Sequence, residues 1–138
     1  MDKMNPVVHF ELPADDRKRM GQFYSKAFGW GIRELGADMG HYVLATTTDS
    51  DDNGPKKPGA INGGFYGKSD DMPAQYPSVV IAVDDIGAAM KKVNAAGGKV
   101  IGEPMDIPTV GRYVAFFDTE GNRLSMLQPL PRTGGRPA

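Results

Sequence analysis

The chain carries one layout twice, and that repeat limits its fold more than any single motif does. Val7–Asp16, VVHFELPADD, is an apolar, β-branched run closed by acidic residues, and Ser78–Asp85, SVVIAVDD, has the same design. His9 stands seven residues before Asp16, and Ser78 seven before Asp85. Further on, Gly40-His41-Tyr42-Val43 is echoed by Gly111-Arg112-Tyr113-Val114. Each copy reads strand, helix, strand, strand, strand. Two copies are too few for a solenoid, in which stacked neighbours bury one another. In a βαβββ unit the helix covers one face of the sheet, and the other face has to meet a partner or a ligand. The expectation is therefore an α+β fold: two βαβββ modules forming a cup-shaped eight-stranded mixed sheet around a pocket, with the helices outside.

Local signals place the elements. In the first copy, alternation puts His9 and Glu11 on one face and Val8, Phe10 and Leu12 on the other. Pro13 is expected to end ladder pairing, and Asp15 or Asp16 to cap a helix. Met20, Phe23, Tyr24, Ala27 and Phe28 make one apolar stripe at helical spacing, and Gly29 stops it. Strands are expected at Gly31–Leu35, Gly40–Thr47 and Ala60–Gly67, with Asp49–Gly59 as a hairpin loop. Gly63-Gly64 inside the last of these points to a bulge or to a close backbone approach. In the second copy, Ser78–Val83 leads to a helix capped by Asp84 or Asp85. Ile86, Ala89, Met90 and Val93 repeat the stripe, and Gly97-Gly98 ends it. Strands follow at Lys99–Pro104, Gly111–Asp118 and Arg123–Gln128, with Met105–Gly111 as a turn-rich crossing. The boundaries are one domain over 1–138: module one 6–67, a linker 68–77, module two 78–130 and a flexible tail 131–138.

Composition narrows the function classes. A net charge of −1, with Lys and Arg scattered, supplies no basic face for nucleic acid or an anionic membrane. No cysteine is present, which removes disulfides, thiolate metal sites and a Cys nucleophile, and fits a cytoplasmic location. No long apolar run suggests a signal peptide or a membrane span. Gly97-Gly98 follows a helix rather than opening one, so it is no phosphate loop. Neither Ser78 nor Ser125 sits in a G-x-S-x-G turn.

Several motifs stand in a telling order. They are His9, Asp16, Phe23-Tyr24 and Phe28-Gly29-Trp30 in the first half, then Val83-Asp84-Asp85 and Asp118-Thr119-Glu120-Gly121-Asn122 in the second. From Pro6 to Leu130 the chain resembles the vicinal oxygen chelate superfamily of glyoxalases, extradiol dioxygenases, fosfomycin-resistance transferases and bleomycin-resistance proteins. In metal-dependent members, the resemblance implies a divalent ion held by His, Glu and sometimes Gln from the first, fourth, fifth and eighth strands. Carried over by position, these ligands fall on His9, about Gly63, Ser78 and Ser125. Only His9 is a good ligand. Neutral hydroxyls are poor donors to Fe, Ni or Zn, and glycine has no side-chain donor.

The resemblance therefore implies a small-molecule-binding protein without the usual metal site, with no metal and no cofactor. Its ligand pocket would use His9, Glu11, Ser78, Arg112 and Ser125, with no catalytic residue assigned. Because members commonly dimerise, a homodimer is expected. The alternative is a metal-dependent lyase, isomerase or dioxygenase with a rearranged site around His9 and Glu11, with His41 as a second imidazole. A third reading is a structural or regulatory dimer with a closed pocket. Glu11 needs water, His9 or a cation such as Arg112 or Arg123, because an unpaired buried carboxylate is costly. Trp30 and Tyr42 are candidate pocket aromatics, with core packing after the helix the favoured reading of both.

Overall fold

The computed structural model describes residues 3–131, so all of the expected tail except Pro131 lies outside the described residues. The chain divides into two compact units, one of His9–Pro77 and one of the residues up to Val8 together with those from Ser78 onward. The fold is α+β, two βαβββ modules with eight sheet strands of mixed direction and two helices.

In the first module, β1 (Val7–Ala14) leads into α1 (Arg17–Phe28), β2 (Gly31–Glu34) and β3 (Val43–Thr46). A small hairpin of β4 (Ser50–Asp51) and β5 (Gly54–Pro55) fills the expected loop before β6 (Asn62–Gly67). The strands lie in the order β2-β3-β6-β1. β1 runs parallel to β6, while β3 is antiparallel to both β2 and β6. Pairing continues through Pro13 to Ala14, so the proline does not end the ladder as expected. A parallel partner can still be kept through the carbonyls on either side of the missing N–H.

The α1 side of this sheet is the core. Val43, Ala45 and Phe65 are buried, with Phe10, Leu12, Met20, Tyr24, Trp30 and Ile32 packed against them. Trp30 stacks on Tyr24 with centroids 4.6 Å apart, the core role read from the sequence. Gly63 faces this side. A Cβ there would stand 2.4 Å from the Phe10 ring, so the glycine marks a close approach.

Both helices start as their sequences require. Asp16 caps α1 by accepting from the Arg19 N–H at 3.0 Å, and Gly29 ends it at φ 74°. Asp16→Ala is expected to lower stability by about 1 kcal/mol in denaturant titration, the usual worth of such a cap.

The second module consists of β7 (Ser78–Ala82), α2 (Ile86–Ala95), β8 (Lys99–Ile107), β9 (Gly111–Phe117) and β10 (Arg123–Pro129), in the sheet order β7-β10-β9-β8. Asp85 caps α2 through the Ala88 N–H at 3.1 Å. Ile86, Val83, Val114, Phe116 and Met126 form the core under it. β8 does not stop at Pro104 but runs on to Ile107, across a register shift between Ile101 and Met105. Gly102, at φ 74°, lies in that shift. Proline is tolerated at a bulge in a terminal strand, where its missing N–H costs no ladder bond.

The D-T-E-G-N motif proves to be a turn. One Asp118 oxygen accepts the N–H groups of Glu120 and Asn122, each at 2.9 Å, and the other accepts the Asn122 side-chain amide at 2.9 Å. Led by the Asn122 side-chain bond, these hold the Asp118 carboxyl below its ordinary range. Its spacing is that of this hydrogen-bonded loop.

Candidate functional site

The side of the first module's sheet away from α1 carries the polar residues. Alternation along β1 gives it His9 and Glu11, and the register sets His9 beside Asn62 and Glu11 beside Gly64. Leu44 of β3 lies on the far side of Gly64. Asn62 is already engaged, accepting the Thr47 N–H and donating to the Ser50 hydroxyl, both at 2.9 Å.

Tyr42 completes the cluster, and the chain before it is bent to aim it there. Gly40 and His41 both have left-handed backbones, at φ 64° and 55°. The Arg17 guanidinium donates to both of their carbonyls, at 3.1 and 3.0 Å. The phenol oxygen then lies 3.1 Å from His9 Nε2 and donates to Glu11 Oε2 at 3.4 Å. Burial pushes the His9 imidazole down from 6.5 to about 4, so the ring is neutral at pH 7. Glu11 thus has the Tyr42 hydroxyl as one partner.

Gly64 explains how the tyrosine fits. A Cβ on this residue would fall 2.1–2.2 Å from the Tyr42 ring edge and hydroxyl. The Tyr42 ring fills the space into which any larger residue at 64 would project. The repeat shows what that position is. Glu11 pairs with Gly64, which pairs with Leu44; in the other module Val80 pairs with Ser125, which pairs with Ala115. Gly64 is therefore the counterpart of Ser125. The fourth-strand ligand position lies one residue beyond the expected Gly63, whose Cβ direction is toward Phe10 and α1.

The second module has a matching arrangement. Ser125 is buried, and its hydroxyl lies 2.5 Å from that of Tyr113. Ser78, half-buried at the start of β7, shares this side of the sheet with Val80 and Ser125. Tyr113 is the repeat mate of Tyr42, so in both modules a tyrosine meets the same strand position. Arg112 does not join the set. It alternates to the opposite side from Tyr113, and its Nε is ion-paired at 3.1 Å with Asp106 in solvent. His41 is exposed and contributes its carbonyl to Arg17, not an imidazole to His9.

These residues do not fit the usual divalent ion. The Nε2 of His9 is taken up by Tyr42, Gly64 offers no donor, and the Ser125 hydroxyl is held by Tyr113. Among the described residues, no three His, Asp or Glu side chains converge as a metal site would need. The sequence puts His9 and Glu11 on one face of β1, as the register has them, but by alternation alone gives no sign of Tyr113 and leaves Tyr42 between pocket and core. The doubled Gly-x-Tyr-Val motif was the signal for both.

The matches to known proteins agree with this fold. Residues 7–126 match the Glyoxalase/Bleomycin resistance protein/Dioxygenase superfamily, and the chain belongs to that family. A glyoxylase-like domain-containing protein of Didymella fabae is 31% identical over 118 residues, 84% of this chain and 88% of that protein. CFP32 of Mycobacterium tuberculosis is 50% identical over 54 residues, 39% of this chain but 21% of its own length. The anthracycline biosynthesis protein DnrV of Streptomyces peucetius is 32% identical over 126 residues, 81% of this chain and 42% of that one. The match thus spans about a fifth of CFP32 and under half of DnrV. Methylmalonyl-CoA epimerase from Mycobacterium tuberculosis shares the fold at a TM-score of 0.64 and 15% identity, over 91% of this chain and 88% of that one. A Streptomyces coelicolor methylmalonyl-CoA epimerase does so at 0.68 and 14%, over 94% and 98%.

Proposed function

We propose that this chain is a small-molecule-binding member of the superfamily that has lost the usual metal site. The observation that carries the reading is Tyr42 standing over Gly64, with its hydroxyl on His9 and Glu11. Gly64 offers no side chain to an ion, and the Tyr42 ring occupies the space where one would reach. His9 and Glu11 are the groups proposed to meet the ligand in the first module, and Ser78 and Ser125 are their counterparts in the second. The chain is further proposed to act as a single domain and a homodimer in the cytoplasm, where its lack of cysteine is no handicap.

Elemental analysis of protein purified without chelators tests the metal half of this reading. Fe, Ni, Zn and Mn are expected well below one ion per chain. Near-stoichiometric occupancy would instead establish a metal-dependent lyase, isomerase or dioxygenase built around His9 and Glu11. A thermal-shift screen of small organic molecules tests the binding half and is expected to return at least one stabiliser, since a ligand that binds only the folded state raises the melting temperature by mass action. A screen with no stabiliser of any chemistry would end the binding reading.

A further inference from the structure

The polar cluster on the first module also has a hydrogen-bonding direction, and an inference about ligand class follows if the binding reading holds. Tyr42 has one phenolic proton, which it donates to the Glu11 carboxylate, and its oxygen also lies within hydrogen-bond reach of His9 Nε2. An ionised carboxylate only accepts, and its charge makes it the stronger acceptor of the two. With the phenolic proton on the Glu11 side, the 3.1 Å contact to His9 closes only if Nε2 carries the imidazole hydrogen. A neutral imidazole has a single N–H, so Nδ1 is left with a lone pair. Among the described residues, Nδ1 has no hydrogen-bond partner.

We propose that Tyr42 and Glu11 are positioning residues that hold His9 as the Nε2–H tautomer, so that His9 Nδ1 selects ligands bearing a hydroxyl or N–H donor. A ligand without such a donor would shut the half-buried acceptor away from water with nothing to replace it, which weakens binding by about tenfold. The ligand class is then an alcohol, a phenol or an amide, and not an ether or an ester lacking a donor.

The test uses the full chain labelled with 15N at histidine, and the matched probes phenol and anisole, which share a flat body and differ in the donor. Long-range 1H–15N spectra should show His9 with Nε2 protonated and Nδ1 bare. Phenol should move the Nδ1 resonance and bind about tenfold more tightly than anisole. Tyr42→Phe keeps the ring over Gly64 but removes the oxygen, so the fixed tautomer and the preference for phenol should be lost together. Glu11→Gln, with a weaker acceptor, should lose part of both and serves if the phenylalanine variant does not fold. An Nδ1–H tautomer in the unmodified chain, equal binding of the two probes, binding of neither, or discrimination that survives Tyr42→Phe would each overturn the proposal. The separate thermal-shift screen tells that failure apart from failure of the binding reading.

Discussion

Gly64→Ala is expected to destabilise the protein by about 3 kcal/mol, as measured by urea unfolding, and to free His9 from its hydroxyl partner. The added methyl would come within 2.1–2.2 Å of the Tyr42 ring and hydroxyl, closer than any atoms pack, so the ring must leave. Its departure breaks the contacts to His9 and Glu11 and adds to the cost of overpacking. Two companion variants identify the cause. In a Tyr42→Ala background, the same Gly64→Ala change should cost only a few tenths of a kcal/mol, because the two residues interact directly. Gly63→Ala should also destabilise, by striking Phe10 on the α1 side, yet leave the Tyr42 contacts to His9 and Glu11 in place. Equal costs for Gly64→Ala with and without Tyr42 would show that the tyrosine does not occupy this space.

Acidification should weaken the fold by about 3 kcal/mol between pH 6.5 and pH 4, through His9 alone. The imidazole is pushed down to about 4 by burial, whereas the unfolded chain protonates it at its ordinary 6.5. Across that window the unfolded state binds a proton that the folded state refuses, so stability falls as pH falls. Below about 4 the folded protein protonates as well, and the slope from this residue ends. Against the ring stand the Tyr42 phenol, through it Glu11, and the apolar Phe10 ring. His9→Gln removes the titration and should flatten the profile in this window. A profile that stays as steep in the glutamine variant would assign the acid sensitivity elsewhere. Asp118 acts at lower pH, because its carboxyl is held below its ordinary range by the Asn122 side chain and the turn N–H groups.

The repeat made the fold legible. Both βαβββ modules, helix starts narrowed to Asp15 or Asp16 and to Asp84 or Asp85, and the glycine stops follow from spacing; the structure picks Asp16 and Asp85. The site was only partly so, for physical reasons. Two adjacent glycines carry no side chain from which alternation can be read, so Gly63 and Gly64 could not be told apart until pairing to β1 fixed their faces. Arg112 and Tyr113 are neighbours on one strand and must point opposite ways. The charge of Arg112 drew attention to it, while the hydroxyl that meets Ser125 belongs to Tyr113. Tyr42 stayed between pocket and core because an aromatic at the start of a strand fits either. The left-handed backbone at His41 and its tether to Arg17, which aim the ring across Gly64, are tertiary features. Pro104 misled for a related reason. The strand it sits in has a partner on one side within its module, so the missing donor interrupts nothing.

That last strand bears on how copies of the protein avoid one another. An open strand edge is a template on which another chain can add, ending in tangled aggregates rather than defined assemblies. β8 is a poor template. Its hydrogen-bonding row is broken at Gly102 and lacks a donor at Pro104, and Lys99, Glu103 and Asp106 place charge along it. Self-association of this chain through continuous strand addition at β8 is thereby disfavoured, which leaves side-chain surfaces as the means by which two copies would recognise each other.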